Sequence, residues 1–352
     1  MPLLTPLETN PPLGGNTGWG EPEDPVHHKF FKERMAADAN AEAGVYSEPR
    51  ALLMAQGPPS PMEQLARSAM PYDDGWDCDY VDKLLYGGPA YVWQASVGSC
   101  VGASGASAAA SKIATEIMLE GDAENPFGME VIQFDSRAQS CAAPLVDYSY
   151  GCGKMKTYWN GSKFTTERSL GDGSYCSAQI WAFLTCGLVP CYAVKDSGLV
   201  FPQTKSIRSN AGNQNQFLNR HLDVGLMHRM EPGIRVQSAD DLKHAIVDLK
   251  QPCIIASGKG FGPADEVVGL GWRYTFSGSW AHQMSIPAFV KVKGNWYVKV
   301  RNQWGPEAHK DGWHFWIAVE TFDQWIRSAE CQSIGELSLI PSKSIPSFRP
   351  FQ

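Results

Sequence analysis

The chain has 352 residues, and its 43% hydrophobic composition supports one large domain with an appendage, or two domains. The formal net charge of -7 at pH 7 argues against nucleic acid and membrane surfaces as partners, because a mildly acidic protein is not drawn to anionic surfaces. The nine cysteines are odd in number and include no C-x-x-C pair, so we expect reduced buried thiols, no metal site and no cofactor.

Prolines crowd residues 1–70, which predicts an extended arm, since proline fixes φ and removes a hydrogen-bond donor. Two short stretches inside the arm, 29–42 and 62–70, have a helical composition. The N-terminus has neither a basic leader nor an unbroken apolar run, so we expect no signal peptide. We therefore expect a protein of the cytoplasm or of a macromolecular assembly such as a virion.

The chain divides by composition into the arm at 1–70, a globular domain at 71–340 and a C-terminal tail at 341–352. Within the domain, helical patterns dominate about 95–200, and strands rich in β-branched and aromatic residues dominate about 230–335. Helices that come first and antiparallel strands that come later indicate an α+β fold, because a parallel sheet would need the two to alternate.

Helices and strands of the domain follow from local signals. The predicted helices cover 98–120, 174–186 and 238–250. Ser174 and Ser238 are the expected N-caps, and Gly187 suits the position just after a helix. Residues 122–168 predict loops. The predicted strands cover 253–257, 283–293, 295–301 and 313–318, with a tight turn at Lys293-Gly294-Asn295.

Cys100 is the first candidate for chemistry, because it lies at the start of the predicted helix at 98–120. A helix N-terminus stabilises negative charge, so a thiol there ionises more easily than a free thiol. A buried inert cysteine produces the same pattern. A nucleophile also needs a base, a group that orients the base, and donors for the oxyanion, so the rest of the chain decides between the two.

The segment Gln94-Ala-Ser-Val-Gly-Ser-Cys100 resembles the active-site segment of papain-like cysteine peptidases. In that family a Gln precedes the nucleophile by six residues, and Gly-Ser-Cys opens the central helix. The resemblance implies that Cys100 is the nucleophile and that Gln94 lines the oxyanion hole. One departure is Val101, which stands where the family usually has Trp.

Two later segments match the same family in the same order. Trp280-Ala-His282 resembles the segment that carries the catalytic histidine, and Asn302-Gln-Trp304-Gly305 resembles the Asn-Ser-Trp-Gly motif. The resemblance implies that Asn302 orients the imidazole of His282 and that Trp304 shields their hydrogen bond from water.

A fourth match is Gly171-Asp-Gly173-Ser174, which resembles the family's glycine loop, with Ser174 in place of the second Gly. It implies that Gly173, Ser174 and Trp304 bind a polypeptide substrate in an extended conformation. The stretch between Cys100 and this loop is longer than in compact members. Residues 136–168 are therefore expected to be an insertion near the substrate cleft or on the surface.

The resemblance implies a papain-like two-lobed fold, with a central helix that starts at Cys100 in a helical lobe, and an antiparallel barrel-like lobe. The function it implies is a cysteine endopeptidase. A second interpretation is a structural or assembly protein, such as a virion component, that retains the fold and binds neighbouring protein subunits through its N-terminal arm. A third is transfer of an acyl group to an acceptor other than water.

Overall fold

The computed structural model describes residues 61–86, 88, 94, 98–120, 146–165, 173–189 and 215–337. Nearly all of the predicted arm, its helix at 29–42 and the C-terminal tail lie outside these residues. The predicted α+β class is confirmed, because helices form most of the described chain before residue 250 and a curled, largely antiparallel sheet forms most of it afterwards.

Eight α-helices lie in the described part of the chain. They are α1 Pro61–Ala69, α2 Cys78–Tyr86, α3 Cys100–Glu120, α4 Val146–Lys154, α5 Cys176–Thr185, α6 Asn215–Leu226, α7 Ala239–Lys243 and α8 Val319–Ile326. The predicted helix at 98–120 matches α3 to within two residues. The one predicted at 238–250 begins as α7 and continues as a π-helical turn, His244–Asp248.

The predicted helix ends are partly right. Ser238 is the N-cap of α7, and its hydroxyl accepts a hydrogen bond from the backbone N–H of Asp241 at 3.1 Å. Gly187 follows α5 with φ +75°, as expected of a helix-terminating glycine. The prediction that Ser174 caps α5 is wrong. The N-cap of α5 is Tyr175, and the Tyr175 side chain makes no capping hydrogen bond.

Six strands form the sheet. They are β1 Asp74–Asp77, β2 Cys253–Val267, β3 Gly271–Val292, β4 Asn295–Arg301, β5 His314–Ala318 and β6 Ala329–Ser333. β4 has the predicted bounds, and the turn before it has positive φ at Lys293 and Gly294, as the sequence indicates. β2 and β3 are much longer than predicted, because they continue together as a hairpin out to the pair Val267 and Gly271.

The sheet curls because β3 pairs with most of the other strands. β2 pairs with β3 from Gly271 to Ile286, while β1 and β4 pair with its C-terminal part. Arg273 near its start meets Trp316 of β5, which itself pairs with β4. The strand order β4-β5-β3-β2-β6 therefore bends back on itself, as the barrel-like lobe requires. The middle of β3 contacts α3, through Gln283.

Helix α3 lies between the sheet and the other helices, and its small residues allow close approach. A side chain at Gly102 would collide with Tyr150 of α4, where a Cβ would lie 2.6 Å from the tyrosine Cβ. A Cβ at Gly105 would likewise lie 2.8 Å from Gln179 of α5. The run of Ala, Gly and Ser after Cys100 is therefore the packing surface of a fully buried helix.

Helix α4 corrects two predictions. Residues 146–154 are helical rather than loop, and residues 146–153 are buried, so this part of 136–168 is no surface insertion. The tyrosines and glycines of this segment indicated a loop. In the structure the tyrosine hydroxyls form hydrogen bonds inside the core, and the glycines let the helix pack close to its neighbours. Tyr148, for example, donates to the carbonyl of Cys186 at 3.1 Å.

Two of the hydrophobic cores contain most of the large buried side chains. One lies between the sheet and helices α1, α2, α7 and α8, with Trp76, Phe261, Phe289, Phe315 and Trp325 among its large side chains. The other lies among α4, α5 and α6. Helix α3 contributes Ala114, Met118 and Leu119, near its C-terminal end, to the first core, whereas Ala103, Ala106 and Ala110 in its first half pack with Val146 of α4.

Candidate active site

Cys100 is the first residue of α3, and its side chain has no exposed surface. Backbone N–H groups of Gln283, Val101 and Cys100 itself donate toward its sulfur. Gln283 belongs to β3 and follows His282 directly. The sulfur therefore lies at the junction between the N-terminus of α3 and β3.

The expectation that Cys100 ionises easily is not met in this arrangement. Burial raises the pKa of the thiol to about 12, because the charged form loses its contact with water. The backbone N–H groups around the sulfur act in the opposite direction, since they stabilise a thiolate, but burial outweighs them. The cysteine is a neutral thiol at pH 7 while it stays covered.

His282 and Asn302 lie in direct contact. His282 is 1% exposed on β3, Asn302 is 1% exposed just after β4, and the two strands are antiparallel neighbours. The imidazole Nε2 and the amide Oδ1 are 2.8 Å apart. The same oxygen accepts a hydrogen bond from the backbone N–H of Gln303 at 2.7 Å, which fixes it as the amide oxygen.

Trp304 covers this pair. Its ring stacks on the imidazole of His282, with the ring centroids 4.4 Å apart and the planes 28° from parallel. Trp280 packs edge-on against Trp304 at 4.9 Å. The indole excludes water from one face of the imidazole, so the hydrogen bond to Asn302 lies in surroundings of low polarity that strengthen it.

Gln94 is 3% exposed and lies beside the same strand end. Its backbone N–H donates to the carbonyl of Gln303 at 3.0 Å. This bond holds the segment before Cys100 next to the residue that follows Asn302. Four residues far apart in sequence, Gln94, Cys100, His282 and Asn302, are thus joined by contacts between their immediate neighbours.

The glycine loop is tied to the start of α3 through one tyrosine. The hydroxyl of Tyr150 accepts from the backbone N–H of Gly173 at 2.9 Å and donates to the carbonyl of Gly98 at 3.0 Å. Ser174 is 7% exposed, and its hydroxyl lies near α4, 3.6 Å from where a Cβ on Gly153 would be. The Tyr150 hydroxyl therefore joins the predicted substrate-binding loop to Gly98, two residues before Cys100.

Three polar side chains near the site were not singled out from the sequence. Gln283 donates from its side-chain amide to the hydroxyl of Ser104 at 2.8 Å and to the carbonyl of Val101 at 3.3 Å, which fastens β3 to the first turn of α3. Arg301 and His309 are the others. A glutamine and an arginine inside apolar strands are the sequence signals that point to buried polar contacts.

Arg301 precedes Asn302 and reaches across to α3. Its guanidinium contacts the carboxylate of Asp79 and the hydroxyl of Ser107, lies 3.1 Å from the hydroxyl of Ser111 and 3.4 Å from the carboxylate of Asp82. Burial lowers the pKa of Arg301 to about 10, so it remains charged at pH 7. These contacts of Arg301 hold the end of β4 against the middle of α3.

Among the residues that the structure describes, no group of three or more His, Cys, Asp or Glu side chains is arranged to hold a metal ion. No described helix is both long and apolar enough to cross a membrane. The seven cysteines of the described segments are free thiols, and all seven are buried.

No protein-family model matches the sequence of this chain, and no curated protein matches it. Among solved structures it is similar to xylellain, a cysteine protease from Xylella fastidiosa, with a TM-score of 0.46 and 14% identity over 78% of this chain and 89% of that one. It is similar to procathepsin B S9 from Trypanosoma congolense, with a TM-score of 0.43 and 13% identity over 80% of this chain and 84% of that one. For the digestive procathepsin L2 of Tenebrio molitor the TM-score is 0.43 and the identity 15%, over 88% and 90% of the two chains.

Proposed function

We propose that this chain is a papain-like cysteine peptidase that hydrolyses peptide bonds with Cys100 as nucleophile, His282 as base and Asn302 as the group that orients the base. The observation that carries the proposal is the 2.8 Å distance between His282 Nε2 and Asn302 Oδ1. The residue after His282 is Gln283, whose backbone N–H donates toward the sulfur of Cys100. Since Asn302 engages Nε2, proton exchange with the sulfur falls to Nδ1.

The reaction begins when His282 takes the thiol proton of Cys100. The thiolate attacks the carbonyl carbon of a peptide bond and forms a tetrahedral intermediate, whose oxygen becomes negative. His282 then gives its proton to the leaving amine, the C–N bond breaks, and the acyl group stays on the sulfur as a thioester. A water molecule, deprotonated by His282, attacks the thioester and releases the second product and the thiol.

Gln94 and the backbone N–H of Cys100 are the proposed donors to the oxyanion. The backbone bond from Gln94 to Gln303 supports this role, because it holds the Gln94 segment at the same strand end as Asn302. Donors that are fixed before the reaction stabilise the charge without reorganising, and one such donor contributes about 10²- to 10³-fold in kcat.

The burial of Cys100 adds a requirement to this mechanism. A thiol with a pKa of about 12 transfers its proton unfavourably, and a fully covered sulfur cannot reach a polypeptide. Exposure of the sulfur removes the cause of the raised pKa and leaves the helix N-terminus and the neighbouring N–H groups to favour the thiolate. We therefore expect catalysis to depend on a step that uncovers Cys100.

Peptide hydrolysis by single variants tests the proposal. Cys100→Ala should abolish hydrolysis, and His282→Ala should reduce kcat by about 10²- to 10⁴-fold, the usual contribution of a positioned acid or base. His314→Phe is the matched control, because His314 is a largely buried histidine of the neighbouring strand β5, and it should keep near wild-type kcat. Hydrolysis by Cys100→Ala at the wild-type rate would refute the proposal.

A further inference from the structure

His309 lies in the loop between β4 and β5 and is held there from two sides. Its backbone N–H donates to the carbonyl of Gly312 at 3.1 Å, and the N–H of Gly312 donates back at 3.0 Å, which closes a tight turn. The imidazole is 9% exposed and packs edge-on against Phe315 at 4.7 Å and Tyr274 at 5.2 Å between ring centroids. Its position is therefore fixed by the backbone and by the core.

The imidazole of His309 completes the hydrogen bonds of Asn302. Its Nε2 lies 2.9 Å from Nδ2 of Asn302. The other end of the amide accepts from the backbone N–H of Gln303, which can only donate, so that end must be the oxygen. The end that faces His309 is consequently the amide nitrogen, which can only donate. His309 must then accept at Nε2, and its own proton must be on Nδ1.

The same logic sets the proton on His282. Because the Asn302 oxygen accepts, the Nε2 atom of His282 that lies 2.8 Å from it must carry a proton. If the amide turned over, its nitrogen would face the N–H of Gln303, and its oxygen would face His309. The Gln303 N–H and an acceptor at His309 Nε2 therefore both favour the observed orientation of Asn302.

We propose that His309 is a positioning residue that accepts a hydrogen bond from Asn302 and, together with the backbone N–H of Gln303, holds the amide in the orientation that requires the Nε2–H tautomer of His282. This inference deepens the proposed function and rests on it for its effect on catalysis. The chemistry requires a neutral His309. Burial, and to a lesser extent the neighbouring His282, lower the pKa of His309 to about 3, so the imidazole stays neutral above about pH 4.

Two substitutions separate the acceptor from the shape of the ring. His309→Phe keeps an aromatic ring against Phe315 and Tyr274 but removes the acceptor. His309→Gln can present an amide oxygen to Asn302. We expect His309→Phe to lower kcat about tenfold with little change in KM, because a buried amide N–H loses its partner, and His309→Gln to recover most of that loss. His314→Phe, the same exchange at a histidine in the next strand, should leave kcat near that of the wild type.

A double variant locates the effect at Asn302. In an Asn302→Ala background, His309→Phe should cause no further loss of kcat, since its proposed action passes through the missing amide. A loss of kcat in His309→Phe that persists undiminished in that background would overturn the inference, and so would wild-type kcat in His309→Phe alone.

The tautomer is measurable without any activity. Two-bond proton–nitrogen correlations on the full chain with labelled histidine should show His309 protonated at Nδ1 only, with no titration between pH 5 and 8. A proton on Nε2, or titration near pH 6.5, would overturn the inference. If the wild type fails to hydrolyse peptides, the proposed function fails while this measurement still decides the state of His309.

Discussion

Two cysteines of this chain show that burial and helix position do not make a nucleophile. Cys78 begins α2 and Cys100 begins α3; both are 0% exposed, and burial raises the pKa of each to about 12. Their neighbours differ. Carboxylates of Asp82 and Asp77 contribute to the raised pKa of Cys78, whereas backbone N–H groups, one of them next to His282, act on Cys100 in the direction of a thiolate. The second cysteine alone is placed where uncovering would favour ionisation.

Glu330 is a residue whose charge opposes folding at neutral pH. Burial raises the pKa of its carboxyl from 4.5 to about 7, with only the charge of Arg235 acting against the rise. The folded chain thus holds a proton that the unfolded chain has already released, so this group's contribution to stability is complete below pH 4.5 and is lost as the pH rises through 7.

Replacing Glu330 by Gln tests this dependence, because the amide cannot lose a proton. We expect Glu330→Gln to raise the free energy of unfolding relative to the wild type by on the order of 2 kcal/mol at pH 8 and to change it little at pH 4. Denaturant unfolding at both pH values measures the difference. An equal effect at the two pH values would contradict the account.

Single residues were predictable where a short motif carries them. Gln94 lies six residues before Cys100, and Trp304 lies two residues after Asn302. Both spacings are visible in the local sequence. His309 could not be found in this way. Its contact with Asn302 depends on how the loop to Gly312 closes and on the packing of Phe315 and Tyr274, and neither leaves a local pattern.

At the scale of elements, two polar contacts fasten the sheet to α3. Gln283, next to His282, bonds to Ser104, and Arg301, next to Asn302, bonds to Ser107 and Ser111. The serines lie along one face of α3, at intervals of three and four residues. These contacts therefore fix the position of the helix that carries Cys100 relative to both strands that carry its proposed partners.

The Arg301 contacts should be costly to break. Removal of one partner from a buried ion pair leaves uncompensated charge, and here the carboxylates of Asp79 and Asp82 would remain without it. We expect Arg301→Met to lower the free energy of unfolding by about 3–5 kcal/mol. Arg273→Met is the matched control, because Arg273 pairs with Asp265 on the exposed hairpin at 2.6 Å and should cost at most about 1 kcal/mol. Equal losses in the two variants, measured by denaturant unfolding, would contradict this account.

Helix α4 shows why some elements were missed. The segment Val146–Lys154 contains two glycines, a serine and two tyrosines, which locally favour loops. Its helix is stabilised by burial against α3 and α5, where the glycines permit contact that larger residues would prevent. The outer half of the β2 and β3 hairpin was missed because glycine, serine, proline and charged residues interrupt its aromatic residues, and many of its side chains are exposed.

At the scale of the whole molecule, the candidate site joins the sheet to the helices. His282 lies on β3 and Asn302 follows β4, whereas Cys100 begins α3 and Gly173 lies just before α5. The order of helices before strands predicted the class of fold, but not how the parts meet, because that depends on side chains such as Tyr150 that join segments 52 residues apart. The convergence of the site is thus a property of tertiary packing.

Covalent labelling of the intact protein tests the central claim most directly. A thiol-directed epoxide should label Cys100 far faster than Cys78, although both are buried at the start of a helix, and His282→Ala should remove the difference. Peptide mapping by mass spectrometry of the wild type and of the His282→Ala and Cys78→Ala variants measures it. Labelling of Cys100 no faster than that of Cys78, or labelling unchanged in His282→Ala, would contradict a sulfur activated by His282.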